Sequence, residues 1–302
     1  MFDLIIVGAG VAGLTAAIYA ARAGADFIVL EQDGYGGGQI SSAHLVENYP
    51  GIPSVCGADL SEEIRAHAEK LGAKIEFGIV TDIIDNGDSK KVITEDNIEY
   101  ISKAVIIATG ASPRALGVLG EDKFLGRGVS YCAVCDGAFY EDKDVFVIGG
   151  GDTAVEDAIY LSDICKSVTL VHRREEFRAP KTRVDYLKSK ENVKFILNAN
   201  LISIDGTERV SSVSVNANNN INKYNTDGVF IAVGTKPESS MIKSLDIDTD
   251  NGYIKADETC KTNIKGIFAA GDIRTKHLRQ VITAAADGAN AAISAMEFIK
   301  QY

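Results

Sequence analysis

Positive charge is in short supply here: 31 Lys+Arg stand against 42 Asp+Glu in 302 residues, a net charge of −11. Such a surplus repels nucleic acid and anionic membrane surfaces, which argues against a non-specific polyanion binder. Histidine is scarce as well, and His44, His67, His172 and His277 show no pairing pattern; surface or satisfied core roles suit all but His172. The five cysteines, an odd number in a long chain, make no disulfide framework and point to a reducing cytoplasm. Neither a signal peptide nor a membrane span is expected over the first residues. The uncharged run 4–21 follows Asp3 without a basic stretch and holds Gly8, Gly10 and Gly13, so it reads as a strand turning into a helix. What remains is 46% hydrophobic and 24% charged, the composition of a globular protein with room for two domains.

The strand expected over 4–7 runs directly into Gly8-x-Gly10-x-x-Gly13 and an Ala-rich helix ending near Gly24. Glycines in that strand–turn–helix setting let a pyrophosphate approach the backbone and rest on the positive end of the helix. A second strand, 27–30, ends in Glu31, placed to accept from an adenosine ribose. The pattern returns downstream as a strand over 144–148, Gly149-x-Gly151-x-x-Ala154, a helix through 158–161 and a strand over 168–171. Glu31 stands 23 positions after Gly8, and His172 stands 23 after Gly149, so the two units compare position by position. The acid of the first becomes His172-Arg173-Arg174, with Arg178 further on. A carboxylate suits a free 2′-hydroxyl and cations suit a 2′-phosphate, which assigns FAD to the first site and NADPH to the second. A solvated charge run pairing with Glu175 and Glu176 is the alternative for the arginines. Further strand–turns are expected over 105–110, 230–234 and 266–272, with a closing helix over 281–300. Breaks then fall near 111–114 and 238–244, and the Asn-rich stretch 216–225 reads as a hairpin loop.

Cys132-Ala133-Val134-Cys135 precedes the second unit by a few residues. Its spacing can close a small reversible disulfide; half of a zinc site and a pair of inert buried cysteines are the other readings. Cys56, Cys165 and Cys260 stand alone, with no histidine near the pair in sequence. Asp136 follows directly, either as an acid that serves the thiolates or as a turn residue before Gly137.

The set of Gly8–Gly13, Gly37-Gly38-Gln39, the Val46–Gly51 segment, Cys132–Gly137, Gly149–Ala154, His172-Arg173-Arg174 with Arg178, Gly271-Asp272 and Arg279-Gln280 resembles the low-molecular-weight, bacterial-type thioredoxin reductases over essentially the whole chain. The resemblance implies an α/β fold of two Rossmann-like dinucleotide-binding domains, the NADPH domain inserted into the FAD domain. The expected boundaries are 1–112 and 243–302 for the FAD domain and 113–242 for the NADPH domain with the redox pair. It implies that Gly38, Gln39, Asn48, Gly271, Asp272, Arg279, Gln280 and Val281 join Gly8, Gly10, Gly13 and Glu31 at FAD. Asp152 and Thr153 would join Gly149, Gly151, Ala154, His172 and the arginines at NADPH. Cys132, Cys135 and Asp136 become the catalytic set, Asp136 as the acid–base residue; thioredoxin or a thioredoxin-like protein is the partner, and the chain is a cytoplasmic homodimer. Val281 stands where Ala is common in the family, and its backbone is expected to matter more than its side chain. No thioredoxin-like extension or Cys-rich tail is seen, which sets aside the peroxiredoxin-reductase and large animal-type versions. Relatives of the same scaffold coupled to ferredoxin or flavodoxin lack either the CxxC or the arginine clamp, and this chain has both. A flavin-bearing sensor without turnover would keep the cofactor sites only.

Overall fold

The structure is a computed structural model that describes residues 1–301 except Tyr35 and His44. The histidine expectation therefore falls partly outside the described residues, at His44. The α-helices are α1 (Val11–Arg22), α2 (Gly57–Lys70), α3 (Ala133–Asp136), α4 (Asp152–Ser162), α5 (Lys181–Lys188) and α6 (Val281–Ile299). The chain forms two compact units, one of residues 1–112 with 236–302 and one of residues 113–235.

In the first unit the strand Phe2–Val7 is sandwiched in parallel between Phe27–Glu31 and Glu99–Ile107. Ile75–Phe77 extends one side, Ile267–Ala269 pairs with the end of Glu99–Ile107, and Val80–Asp85 and Lys90–Thr94 add antiparallel strands. The central strands read as unbroken Ile/Val/Leu runs because helices and loops cover both faces, so neither face can be polar. Helices α1 and α6 pack on one face, and the contact is close because small residues line it: a Cβ on Gly288 would lie 2.1 Å from the Ala12 carbonyl oxygen.

The second unit repeats the plan in a five-stranded parallel sheet, ordered Val193–Ile196, Ser167–Val171, Asp144–Ile148, Gly228–Ile231, Val129–Ser130. A three-stranded antiparallel sheet, Ala199–Gly206, Val210–Ala217 and Asn220–Asn225, follows it. The Asn-rich stretch expected to be loop is therefore mostly strand. Only Asn218 and Asn219 make the turn, both at positive φ (52° and 63°), a conformation Asn tolerates and a two-residue hairpin requires.

The second expected boundary, between 242 and 243, is corrected to 235/236. The segment 238–244 looks like a linker, but Met241 and Leu245 are buried in the core of the first unit. The Glu238 backbone is held there by Gly110 and Thr109, and its carboxylate accepts from Ser112 Oγ at 2.5 Å.

Candidate dinucleotide sites and redox disulfide

The first site gathers at the N-terminus of α1. Gly10 is its N-cap, with no side chain capping it and no acidic residue in the first turn, so the free N–H groups face an open position suited to an anion. On the side where a Cβ would stand, Gly10 meets nothing nearer than Gly38 Cα at 4.0 Å, which leaves the room that a pyrophosphate needs. Gly13 serves close packing instead, since a Cβ there would lie 1.8 Å from the Gly8 carbonyl oxygen and the strand and helix close up only with glycine. The Glu31 carboxylate is buried at the strand end and accepts from Ala9 N and Asp33 N, at 2.5 and 2.9 Å. A carboxylate has about four lone-pair sites, so acceptor capacity is left for ribose hydroxyls.

Residues far apart in sequence join this place. Asn48 Nδ2 donates to Gln280 Oε1 at 3.0 Å, and Gln39 Nε2 donates to the Ala111 carbonyl. Gln280 is the N-cap of α6 in a capping box with Thr283, and the next side chain, Val281, packs against the small apolar cluster of Val11, Ile40, Val46 and Leu60. The Val281 side chain thus fills a place in the packing, beyond the backbone role expected of it from the sequence. Asp272, in the turn Gly271–Ile273, has Oδ1 buried without a hydrogen-bond partner among the described residues, and Arg279 Nε is likewise unpartnered. Burial raises the Asp272 carboxyl above the ordinary range, against the pull of Lys276 and Arg279. Buried polar atoms left open in this way fit a hydroxyl-bearing ligand that supplies the missing partners.

In the second site α4 starts after Gly149–Gly151, with Asp152 and Thr153 exposed in its first turn. A Cβ on Gly150 would lie 2.1 Å from the His172 ring, which is buried beneath the loop and stacked on Phe177. Burial holds the imidazole below its ordinary pKa, and the surrounding arginines add to this. His172 is thus a support of the loop. Arg178 is tied to the loop by its backbone N–H to the Gly150 carbonyl at 2.9 Å, and its guanidinium lies beside Gly151. Arg173, Arg174 and Arg178 are exposed, and among the described residues none is within ion-pair distance of a carboxylate. The solvated-run reading needs pairs with Glu175 and Glu176, and these are not formed.

Cys132 and Cys135 form a disulfide, with Cys56, Cys165 and Cys260 free. Cys132 caps α3 and its Sγ accepts from Cys135 N at 3.2 Å. The helix rests on α4, for a Cβ on Gly137 would lie 2.9 Å from the Tyr160 ring. Ser130, invisible to sequence reasoning, organises the pair: its Oγ donates to Asp136 Oδ2 at 2.6 Å and accepts from Cys132 N at 3.0 Å. Just before the pair, Tyr131 donates to the buried carboxylate of Glu121 at 2.6 Å, which also takes the N–H groups of Leu116 and Gly117. No cluster of three or more His, Cys, Asp or Glu suited to a metal occurs among the described residues, and none of their helices is long and apolar enough to cross a membrane.

Residues 2–288 match the family model described as pyridine nucleotide-disulphide oxidoreductase. The chain is 44% identical to a thioredoxin reductase of Listeria innocua, covering 100% of this chain and 95% of the relative, and 42% identical to one of Bacillus subtilis, covering 100% and 96%. The crystal structure of thioredoxin reductase from Streptococcus pyogenes superposes with a TM-score of 0.96 at 44% identity, over 100% of this chain and 99% of that one. Two glycine loops, each opening a helix on a parallel sheet, and a CxxC disulfide beside the second agree with that kinship: the chain belongs to the pyridine nucleotide-disulphide oxidoreductases, among their thioredoxin reductases, as an oxidoreductase that acts on a sulfur group and uses flavin and nicotinamide cofactors.

Proposed function

We propose that the protein is an NADPH-dependent thioredoxin-disulfide reductase that takes NADPH, a proton and oxidised thioredoxin to NADP⁺ and the dithiol. The observation that carries this reading is the Cys132–Cys135 disulfide with Asp136 beside it, on the unit whose glycine loop is edged by unpaired arginines. FAD would be held by Gly8, Gly10, Gly13, Glu31, Gly38, Gln39, Asn48, Gly271, Asp272, Arg279, Gln280 and Val281. NADPH would rest on Gly149, Gly151, Asp152, Thr153 and Ala154, its 2′-phosphate on Arg173, Arg174 and Arg178, with His172 supporting the loop. When bound, the flavin supplies a two-electron relay between nicotinamide and disulfide.

The chain's own residues carry the exchange. Cys132 as thiolate attacks one sulfur of the partner's disulfide, forming a mixed disulfide and releasing the partner's other thiolate, which takes a proton from Asp136. Cys135, its thiol proton passed to the Asp136 carboxylate left by the first step, then attacks Cys132 Sγ, re-forming the intramolecular disulfide and releasing the second partner thiolate, which takes that proton from Asp136 as the dithiol leaves. The Cys135 N–H aimed at Cys132 Sγ favours the charged form of that sulfur, which supports Cys132 as the attacking residue. By the resemblance the protein is cytoplasmic and works as a homodimer, and the mass of the FAD-loaded protein by light scattering checks the dimer.

The reading is tested by NADPH oxidation with a panel of thioredoxins and glutaredoxin-like proteins from the same cell. Turnover with a thioredoxin supports it; NADPH use that no member of the panel stimulates overturns it.

A further inference from the structure

Helix α6 buries a mostly apolar face that carries one charged group. Asp287 lies within it, its side chain 9% exposed, and three donors meet the carboxylate. Arg274 Nη1 reaches Oδ1 at 2.8 Å, while Lys276 Nζ and Gly271 N reach Oδ2 at 2.7 and 3.0 Å. Arg274 is itself anchored, Nη2 donating to the carbonyls of Ala256 and Asp257 at 3.2 and 3.0 Å. Burying an acid and two bases costs desolvation that their attraction often only offsets, so stability alone is a poor reason for the cluster.

Its geometry supplies a better one. The amide it grips belongs to Gly271, at φ 77°, where the turn carrying Asp272 begins. That turn stands against the first turn of α1, since a Cβ on Gly271 would lie 2.8 Å from Ala12 Cβ. The residue after Asp287 is Gly288, which packs on the carbonyl of the same Ala12. We propose that Asp287 is a positioning residue of the flavin site: clamped by Arg274 and Lys276, it fixes the Gly271 amide and thereby the direction in which Asp272 offers its unpartnered Oδ1 to the cofactor. The inference rests on the flavin placement of the preceding subsection.

The test is a double-mutant cycle on the full chain, with FAD affinity of the stripped protein read by quenching of flavin fluorescence. Asp272→Asn and Asp287→Asn should each weaken FAD binding about tenfold, the loss of roughly one charge-assisted hydrogen bond. Because Asp287 acts through Asp272, the double variant should bind no more weakly than the weaker single variant. NADPH affinity, which belongs to the other unit, should not change. If Asp287→Asn fails to fold, Asp287→Glu keeps the charge between its two bases but displaces the amide, and the same non-additive loss is expected. Unchanged FAD affinity in the Asp287 variants, or losses that multiply in the double variant, would overturn the positioning role. No FAD binding by the unmodified protein would overturn the flavin placement and the role with it.

Discussion

Single side chains set two of the expected outcomes. With Arg178, the exposed Arg173 and Arg174 would meet a 2′-phosphate, and each charge-assisted bond contributes about 1.5–3 kcal/mol. Replacing both with Ala should remove most of the preference for NADPH over NADH in kcat/KM; equal use of the two nucleotides by the unmodified enzyme contradicts the clamp. The two cysteines divide the work, and trapping separates them. Cys135→Ser leaves Cys132 to attack with nothing to resolve the product, so a mixed disulfide should accumulate with a thioredoxin that lacks its own resolving cysteine. Cys132→Ser should trap far less, and efficient trapping through Cys135 alone reverses the assignment. At this scale the sequence spoke through motifs: glycines, arginines and the CxxC stand at fixed offsets. Ser130 and Asp287 have no such offset, because their partners come from the fold. A faint signal existed for Asp287, the one charged residue of the closing helix before Glu297.

Among the elements, α4 holds a pH-dependent strain on stability. Burial pushes the Asp157 carboxyl up to about 7, against about 3.9 in an unfolded chain. Between those values the folded state keeps a proton that the unfolded state has lost, so stability falls as pH rises through the window. Asp157→Asn, neutral throughout, should melt higher than the unmodified protein at pH 8 and alike near pH 4; a pH-independent difference contradicts the assignment of cause. The central strands over 4–7, 105–107, 144–148 and 230–231 were legible as apolar runs leading into glycine, because burial on both faces leaves no other pattern, whereas Ile75–Phe77, Val129–Ser130 and Val193–Ile196 drew no expectation. The strand Asn220–Asn225 was not, since its residues are mostly exposed and carry no apolar alternation. The segment 238–244 misled for the reverse reason: polar residues around Met241 hid its anchoring in a core whose other members come from distant strands.

For the whole molecule, the presence of two dinucleotide folds was legible because the two glycine motifs keep the same distance to Glu31 and His172, whereas the insertion of one fold into the other was implied by the family resemblance. The point where the chain returns depends on long-range contacts and was not legible. The family reading has nicotinamide and disulfide take turns at one flavin, so the inserted unit must turn about the two joining segments. A cross-link that locks the units should abolish turnover while sparing one half-reaction, and full activity after such a lock contradicts that motion. The central claim, that electrons of NADPH leave the protein as thioredoxin thiols through Cys132–Cys135, is tested most directly by counting both together. With FAD-loaded protein, oxidised thioredoxin and no oxygen, two new thioredoxin thiols should appear for each NADPH consumed, and none with Cys132→Ser. NADPH oxidation without new thiols, or undiminished thiol formation by Cys132→Ser, would contradict it.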